Sequence, residues 1–142
     1  MARNLIRTQK GTSMVELAIV LPLLLILLFG IIELSIALYD KAMLTNASRE
    51  GARAGIVAQN PRVTDARIRQ VVRDYAAIYL ITFGSDILGD EDILITRAGS
   101  TFGSNLTVSV NYRYDFLVLS RLITALIGHP ISLNATTVMK LE

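Results

Sequence analysis

The sequence predicts an α+β chain: a long N-terminal helix that crosses a membrane and continues as a stalk, a second amphipathic helix, and about three antiparallel strands. Three observations carry this prediction. Residues 14–39 are apolar except for Glu16, Glu33 and Ser35. Residues 68–79 place apolar side chains at helical spacing. Residues 106–116 alternate apolar and polar side chains without a break. A chain of 142 residues has room for one membrane helix and one small domain, not for two independent cores.

Met1–Lys10 carries three basic groups and no acid, and reads as a leader on the cytoplasmic side. A helix from Met14 to Tyr39 is about 39 Å long, more than a hydrocarbon core of about 30 Å. Its charge-free part, Leu17 to Ile32, is about 24 Å long. The two glutamates therefore fall near opposite membrane interfaces. Pro22 removes a backbone donor and predicts a kink, which lipid tolerates where neighbours satisfy the freed carbonyl. No acid precedes Glu16, and the far side opens on the balanced pair Asp40-Lys41. The basic bias thus places the N-terminus inside and the C-terminal domain outside.

The helix is expected to continue as a stalk from Asp40 to about Ala58. Met43, Leu44, Ala47, Gly51, Ala54, Gly55 and Val57 make an apolar, small-residue stripe, with Asn46, Ser48, Arg49, Glu50 and Arg53 as polar positions around it. Gly51 and Gly55 each weaken a helix by about 1 kcal/mol relative to alanine. Close approach of another backbone compensates, either from this chain's own sheet or from a neighbouring subunit. Asn60-Pro61 ends the stalk. Thr64-Asp65 then opens the second helix with a hydroxyl cap and a first-turn acid. Ile68, Val71, Val72, Tyr75 and Tyr79 form its apolar face, with Arg67, Arg69, Arg73 and Asp74 opposite, and the end is expected near Phe83-Gly84.

After an acidic loop over residues 85–92, Ile93–Arg97 is a short β-prone run, and Gly99–Ser104 is a turn. Leu106, Val108, Val110, Tyr112, Tyr114 and Phe116 form one face of the clearest strand. A last strand, Ile131 to Leu141, turns Ile131, Leu133, Ala135, Thr137, Met139 and Leu141 to one side. Residues 117–127 are apolar and read as a short helix or turn ending at Gly128. Three strands with one apolar face need a cover, for which the stalk and the second helix are the candidates.

Composition narrows the function. The hydrophobic fraction is 52% and the mean hydropathy +0.49, with most of the excess before Tyr39. The net charge of +2 does not describe a phosphate-binding surface: without Arg3, Arg7 and Lys10 the basic count falls from 14 to 11, against 12 acids. There is no cysteine, hence no disulfide framework or thiolate site. His129 stands alone before a proline and reads as a turn residue. The acids Asp86, Asp90, Glu91 and Asp92 lack calcium-loop spacing. No nucleophile set, phosphate-binding loop or dinucleotide motif is present, so no enzyme, metal or cofactor is expected.

The opening Gly11-Thr-Ser-Met-Val-Glu16, followed by the apolar run, resembles prepilin-peptidase substrates, the type IV pilin-like proteins. Val15-Glu-Leu-Ala-Ile-Val-Leu-Pro22 and Asn46-Ala-Ser-Arg-Glu-Gly-Ala-Arg53 are similar specifically to the TadE-like minor pseudopilins of tight-adherence pilus systems. The resemblance implies a pilin-like fold and a bacterial inner-membrane protein with a leader over residues 1–11, a transmembrane helix over 12–39 and an extracytoplasmic domain over 40–142. It implies cleavage after Gly11, where an unencumbered backbone suits a membrane-surface peptidase, and a new amine on Thr12. Glu16, four residues on, would meet that amine in cis or, as the family implies, a neighbour's amine, setting axial register. The partners implied are the membrane, the prepilin peptidase, other pilin-like subunits and the assembly platform, with no nucleic acid and no small-molecule substrate.

Two further expectations concern charges. Glu33 either meets a partner helix or is solvated by headgroups at the outer interface. Arg49 and Arg53 share a face and could pair with the Asp90–Asp92 loop, or with Glu50 form a solvated surface. Two rival organisations remain: an uncleaved signal anchor, and a soluble domain released near Ser35-Ile-Ala37, the latter opposed by the long apolar run and by Glu33.

Overall fold

A computed structural model describes residues 5–82, 88–118 and 131–142, with side chains from residue 11 onward. Helix α1 runs unbroken from Leu5 to Ile56, 52 residues or about 78 Å, through Pro22. Helix α2 is Asp65–Tyr79. Strands β1 (Ile93–Arg97), β2 (Asn105–Tyr114) and β3 (Ile131–Lys140) form an antiparallel sheet in the order β1-β2-β3. The α+β arrangement of a long apolar helix, a second helix and a three-stranded antiparallel sheet is the one expected.

Two halves of α1 live in different surroundings. From Gly11 to Phe29 every residue is exposed. From Glu33 onward a buried seam appears: Glu33, Ala37, Asp40, Leu44, Ala47, Gly51 and Gly55, at alternating spacings of mostly three and four. That spacing keeps one face of a helix turned to one side. The seam uses small residues, which lets α2 and the sheet come close. A Cβ on Gly55 would lie 2.5 Å from Leu106 Cδ2 and 2.6 Å from Ile68 Cδ1, and one on Gly51 would collide with Val72 Cγ2. Of the two compensations open to these glycines, close approach within the chain is the one realised: α2 and β2 occupy the space.

The contacts also fix directions. Going up α1 from Asp40 to Gly55, its partners run down from Ile81 to Ile68, so α2 is antiparallel to α1. β2 likewise descends, with Leu106 beside Gly55 and the Tyr114 hydroxyl donating to the Glu33 carbonyl at 3.4 Å. β3 ascends, bonding Thr137 to Ser48 and ending where the Glu142 N–H donates to the Ile56 carbonyl. The ends of α2 and β2 therefore gather at the Glu33–Asp40 level, and the β1–β2 turn lies at the opposite pole. In that turn Gly103 has φ 81°, a left-handed conformation that favours glycine.

The core lies between the helices and one sheet face. Leu106, Val108, Val110, Tyr112, Tyr114 and Phe116 are all buried, as the alternation predicts. Across the ladder Ile93 pairs with Val110 and Val110 with Ala135. On the outer face the Ser109 and Thr136 hydroxyls bond at 3.0 Å, a cross-strand pair in register. Thr64 caps α2, its hydroxyl accepting the Arg67 N–H at 3.3 Å. Arg97 then ties β1 to this end through Asp65 at 3.0 Å and the Val63 carbonyl at 2.8 Å.

Several boundaries differ from expectation. The stalk ends at Ile56, two residues before the expected end at about Ala58; the Ile56 carbonyl accepts the Glu142 N–H, and Val57 is exposed. Met43 and Ala54 are only half-buried, while Ser48 is fully buried, its hydroxyl 2.7 Å from Thr137 Oγ1. α2 stops at Tyr79, four residues short of the expected end. Leu80 is extended (ψ 138°) and the Ile81 N–H goes to the Asp40 carboxylate at 2.9 Å, a bond that competes with another helical turn. Of Val71 and Tyr79, both assigned to the apolar face, the first is half-buried and the second exposed, and Ala76 completes the stripe instead. The expected helix or turn at 117–128, His129 and Asp86 lie almost wholly outside the described residues.

The seam yields a stability test. Gly51→Ala adds helix propensity worth about 1 kcal/mol but forces a methyl against buried, β-branched Val72, and overpacking costs about 1–3 kcal/mol. The expected net result is a loss of up to about 2 kcal/mol, seen as a lower thermal midpoint of the detergent-solubilised chain. A raised midpoint contradicts this packing.

Candidate functional site

The candidate site is the bare half of α1 and the carboxylates at its two ends. No described side chain covers residues 11–29, and Met14 and Ile19 remain 74% and 71% exposed. An apolar surface of this size, wrapped around a single helix, is stable in water only when something else removes it. The helix is long and apolar enough to cross a membrane. Its side chains present no internal pattern of polar against apolar faces, which fits a surface surrounded on all sides by apolar matter.

At the N-terminal end, a Cβ at Gly11 would meet nothing within 4 Å. Thr12 and Glu16 are exposed and one helical turn apart. Pro22, also exposed, leaves the Ala18 carbonyl without its usual helical donor. All four are exposed, so nothing in the packing of the described residues calls for a carboxylate at position 16.

The other end is different. Glu33 is 3% exposed and lies against the end of β2, where its carboxylate accepts the Val118 N–H and its carbonyl accepts the Tyr114 hydroxyl. It is thus not solvated by headgroups but held by the chain's own domain. Asp40, two turns further, is fully buried; one oxygen accepts the Ile81 N–H at 2.9 Å and the other has no hydrogen-bond partner. Burial pushes the Asp40 carboxyl above its usual range, only partly offset by the Ile81 N–H. Burial, reinforced by the negative charges of Asp40 and Glu33 and by Tyr112, pushes the Tyr114 hydroxyl up to about 12. Asp40 was not singled out from sequence. The signal was present: extending the Leu44–Ala47–Gly51 spacing backward reaches Asp40, Ala37 and Glu33.

Arg49, Glu50 and Arg53 point away from the core. Arg53 lies 3.9 Å from Glu50 on an exposed face, a pair worth under about 1 kcal/mol. The acidic loop is not their partner: Asp90 pairs with Arg73 of α2, because α2 rather than α1 faces that loop. Gly51 and Gly55 are buried inside the domain and carry its packing. Among the described residues no group of three or more His, Cys, Asp or Glu side chains is arranged to hold a metal. Six domain residues (Ala76, Ala77, Leu80, Thr82, Leu88 and Tyr112) line a small cleft of about 90 Å³ that is too small for an ordinary organic ligand.

Residues 11–53 match the model of a family described as TadE-like protein. The match covers the bare half of α1 and most of the packed half, ending three residues before Ile56, and includes none of α2 or the sheet. No curated protein and no solved structure matches the chain.

Asp40 gives a pH test. Its folded-state carboxyl holds its proton above the ordinary value of 3.8, so its contribution to stability is fullest below that value and is lost as pH rises through the raised one. Asp40→Asn removes that dependence. The stability of the variant minus that of the wild type should therefore increase as pH rises above about 4 in urea titrations of the detergent-solubilised chain. A difference that shrinks with rising pH contradicts the burial of this carboxylate.

Proposed function

We propose, from the match of residues 11–53 to the TadE-like family model, that the chain belongs to that family and is a membrane-anchored minor pseudopilin of a tight-adherence pilus system. In this reading a prepilin peptidase removes residues 1–11, residues 12–39 span the bacterial inner membrane, and residues 40–142 lie outside the cytoplasm. The observation that supports it most is the contrast within one helix: bare and apolar to Phe29, packed from Glu33 onward. A helix built this way presents one half to lipid or to sister helices while its other half carries a folded domain.

Glu16 is the residue through which assembly acts. A carboxylate in a membrane helix costs roughly 2.5–3.5 kcal/mol at the bilayer centre and less near the interface, so a partner is needed to hold it there. The Thr12 amine created by cleavage is one turn away in cis, and the same amine on an adjacent subunit can take that place in trans. The partners are then other pilin-like subunits and the assembly platform. The exposed face of Arg49, Glu50 and Arg53, at the top of the stalk, is open for a neighbouring subunit.

The rival is an uncleaved bitopic protein with an envelope-binding domain. N-terminal mass determination on the membrane fraction separates the two. The expected mature chain begins at Thr12 in cells that hold the peptidase, and Gly11→Leu blocks its formation. Normal processing of Gly11→Leu, or an intact leader on the wild type, contradicts the assignment.

For Glu16→Ala, normal protein level and normal membrane location are expected, because Glu16 is exposed among the described residues and its removal eases insertion. Crosslinking between membrane helices and pilus output should fall, with Glu16→Asp intermediate because the charge remains but its reach is shorter. Equal crosslinking and equal piliation at matched protein levels would return Glu16 to an interfacial carboxylate facing water.

A further inference from the structure

The charge-free run Leu17–Ile32 is about 24 Å long, against a hydrocarbon core of about 30 Å. An exposed Glu33 would end the apolar surface short of the outer interface. It is instead buried against the end of β2, capped by the Val118 N–H. The surface that α1 still shows beyond it is apolar: Leu34, Leu38 and Tyr39 are exposed. Ser35 is exposed too, but its hydroxyl donates back to the Ile31 carbonyl at 2.7 Å, so it offers lipid no unsatisfied donor. With Glu33 masked, the apolar length runs from Leu17 to Tyr39, about 35 Å, and reaches past the core.

The domain adds to this surface at the same level. Leu117 and Val118 follow β2 beside Glu33 and are 61% and 49% exposed. Ile78, Tyr79 and Ile81 close α2 beside Asp40 and are also exposed. Two separate chain segments thus present apolar side chains at the pole where α1 enters the domain, at the level of its exposed Leu34, Leu38 and Tyr39.

We propose that this pole of the domain is seated in the outer lipid–water interface, with Leu117, Val118, Ile78 and Ile81 against lipid and Tyr39 and Tyr79 at headgroup level. Tyrosines are favoured at that depth because the ring is apolar and the hydroxyl remains wet. The span is completed by the folded domain, which hides a carboxylate that would otherwise lie within the core. This proposal rests on the membrane-spanning reading of α1, and its occupant is the bilayer, not a neighbouring copy.

The chain has no cysteine, so single cysteines can carry an environment-sensitive fluorophore. The full-length chain, labelled at Leu117→Cys or Ile78→Cys, is reconstituted in phosphatidylcholine vesicles at high and low protein-to-lipid ratios. Leu25→Cys marks the core, and Phe102→Cys, 85% exposed in the turn at the far pole, marks water. At both ratios the labels at 117 and 78 should be quenched by lipid-borne quencher and resist aqueous iodide, as at 25 and opposite to 102. Iodide quenching at 117 and 78 equal to that at 102, with 25 still protected, overturns the seating but leaves the span intact. Protection that is lost on dilution into lipid also overturns it, since another copy then covers this pole. Iodide quenching at 25 removes the spanning premise itself.

Discussion

The structure depends on a constraint at Glu33. One continuous helix shows an exposed apolar surface below this residue and serves a protein core above it, and a carboxylate stands at the changeover. Below it the side chains are large and apolar all round: leucine, isoleucine, valine. Above it the seam, apart from Asp40 and Leu44, is alanine, serine and glycine, because the sheet and α2 must approach the helix axis for so small a domain to bury a core. Glu33 is hidden by the same domain whose attachment begins at its level.

The buried seam explains how other elements are placed. Gly51 and Gly55 admit Val72, Ile68 and Leu106, which bring α2 and β2 onto α1 in antiparallel sense. Ser48 reaches Thr137 and draws in β3. Asp40 takes the Ile81 N–H, the first one past the C-cap Leu80, and so competes with a further turn of that helix. Each contact uses a small or polar side chain where a soluble core helix would carry leucine. The cost is a buried carboxylate with one unpartnered oxygen, at the level where the helix leaves the core.

Elements whose pattern is local were legible in the sequence. The alternation from Leu106 to Phe116 gave the central strand its buried face, Thr64-Asp65 marked the start of α2, and the glycine pair signalled close packing. What depended on distant partners was not legible. α2 ends early because of Asp40, forty-one positions upstream of Ile81. Glu33 is buried by residues of β2 and just beyond it, and Asp90 belongs to Arg73 because of how α2 lies. The candidate site divides in the same way. Gly11, Thr12, Glu16 and Pro22 are singled out by their spacing and the family resemblance, and all four are exposed among the described residues, whereas the placement of Glu33 and Asp40 needed the fold.

The account's central claim is that α1 changes surroundings at Glu33. A nitroxide scan along α1, one single-cysteine variant at a time from residue 14 to residue 56 in lipid bilayers, tests it most directly. Oxygen accessibility should be high with no helical periodicity up to about Ile32. From Glu33 it should oscillate with a period near 3.6 residues, with minima at Ala37, Leu44, Ala47 and Gly51. An oscillation already present across residues 17–32, or none after residue 33, would contradict a helix divided between two media at this carboxylate.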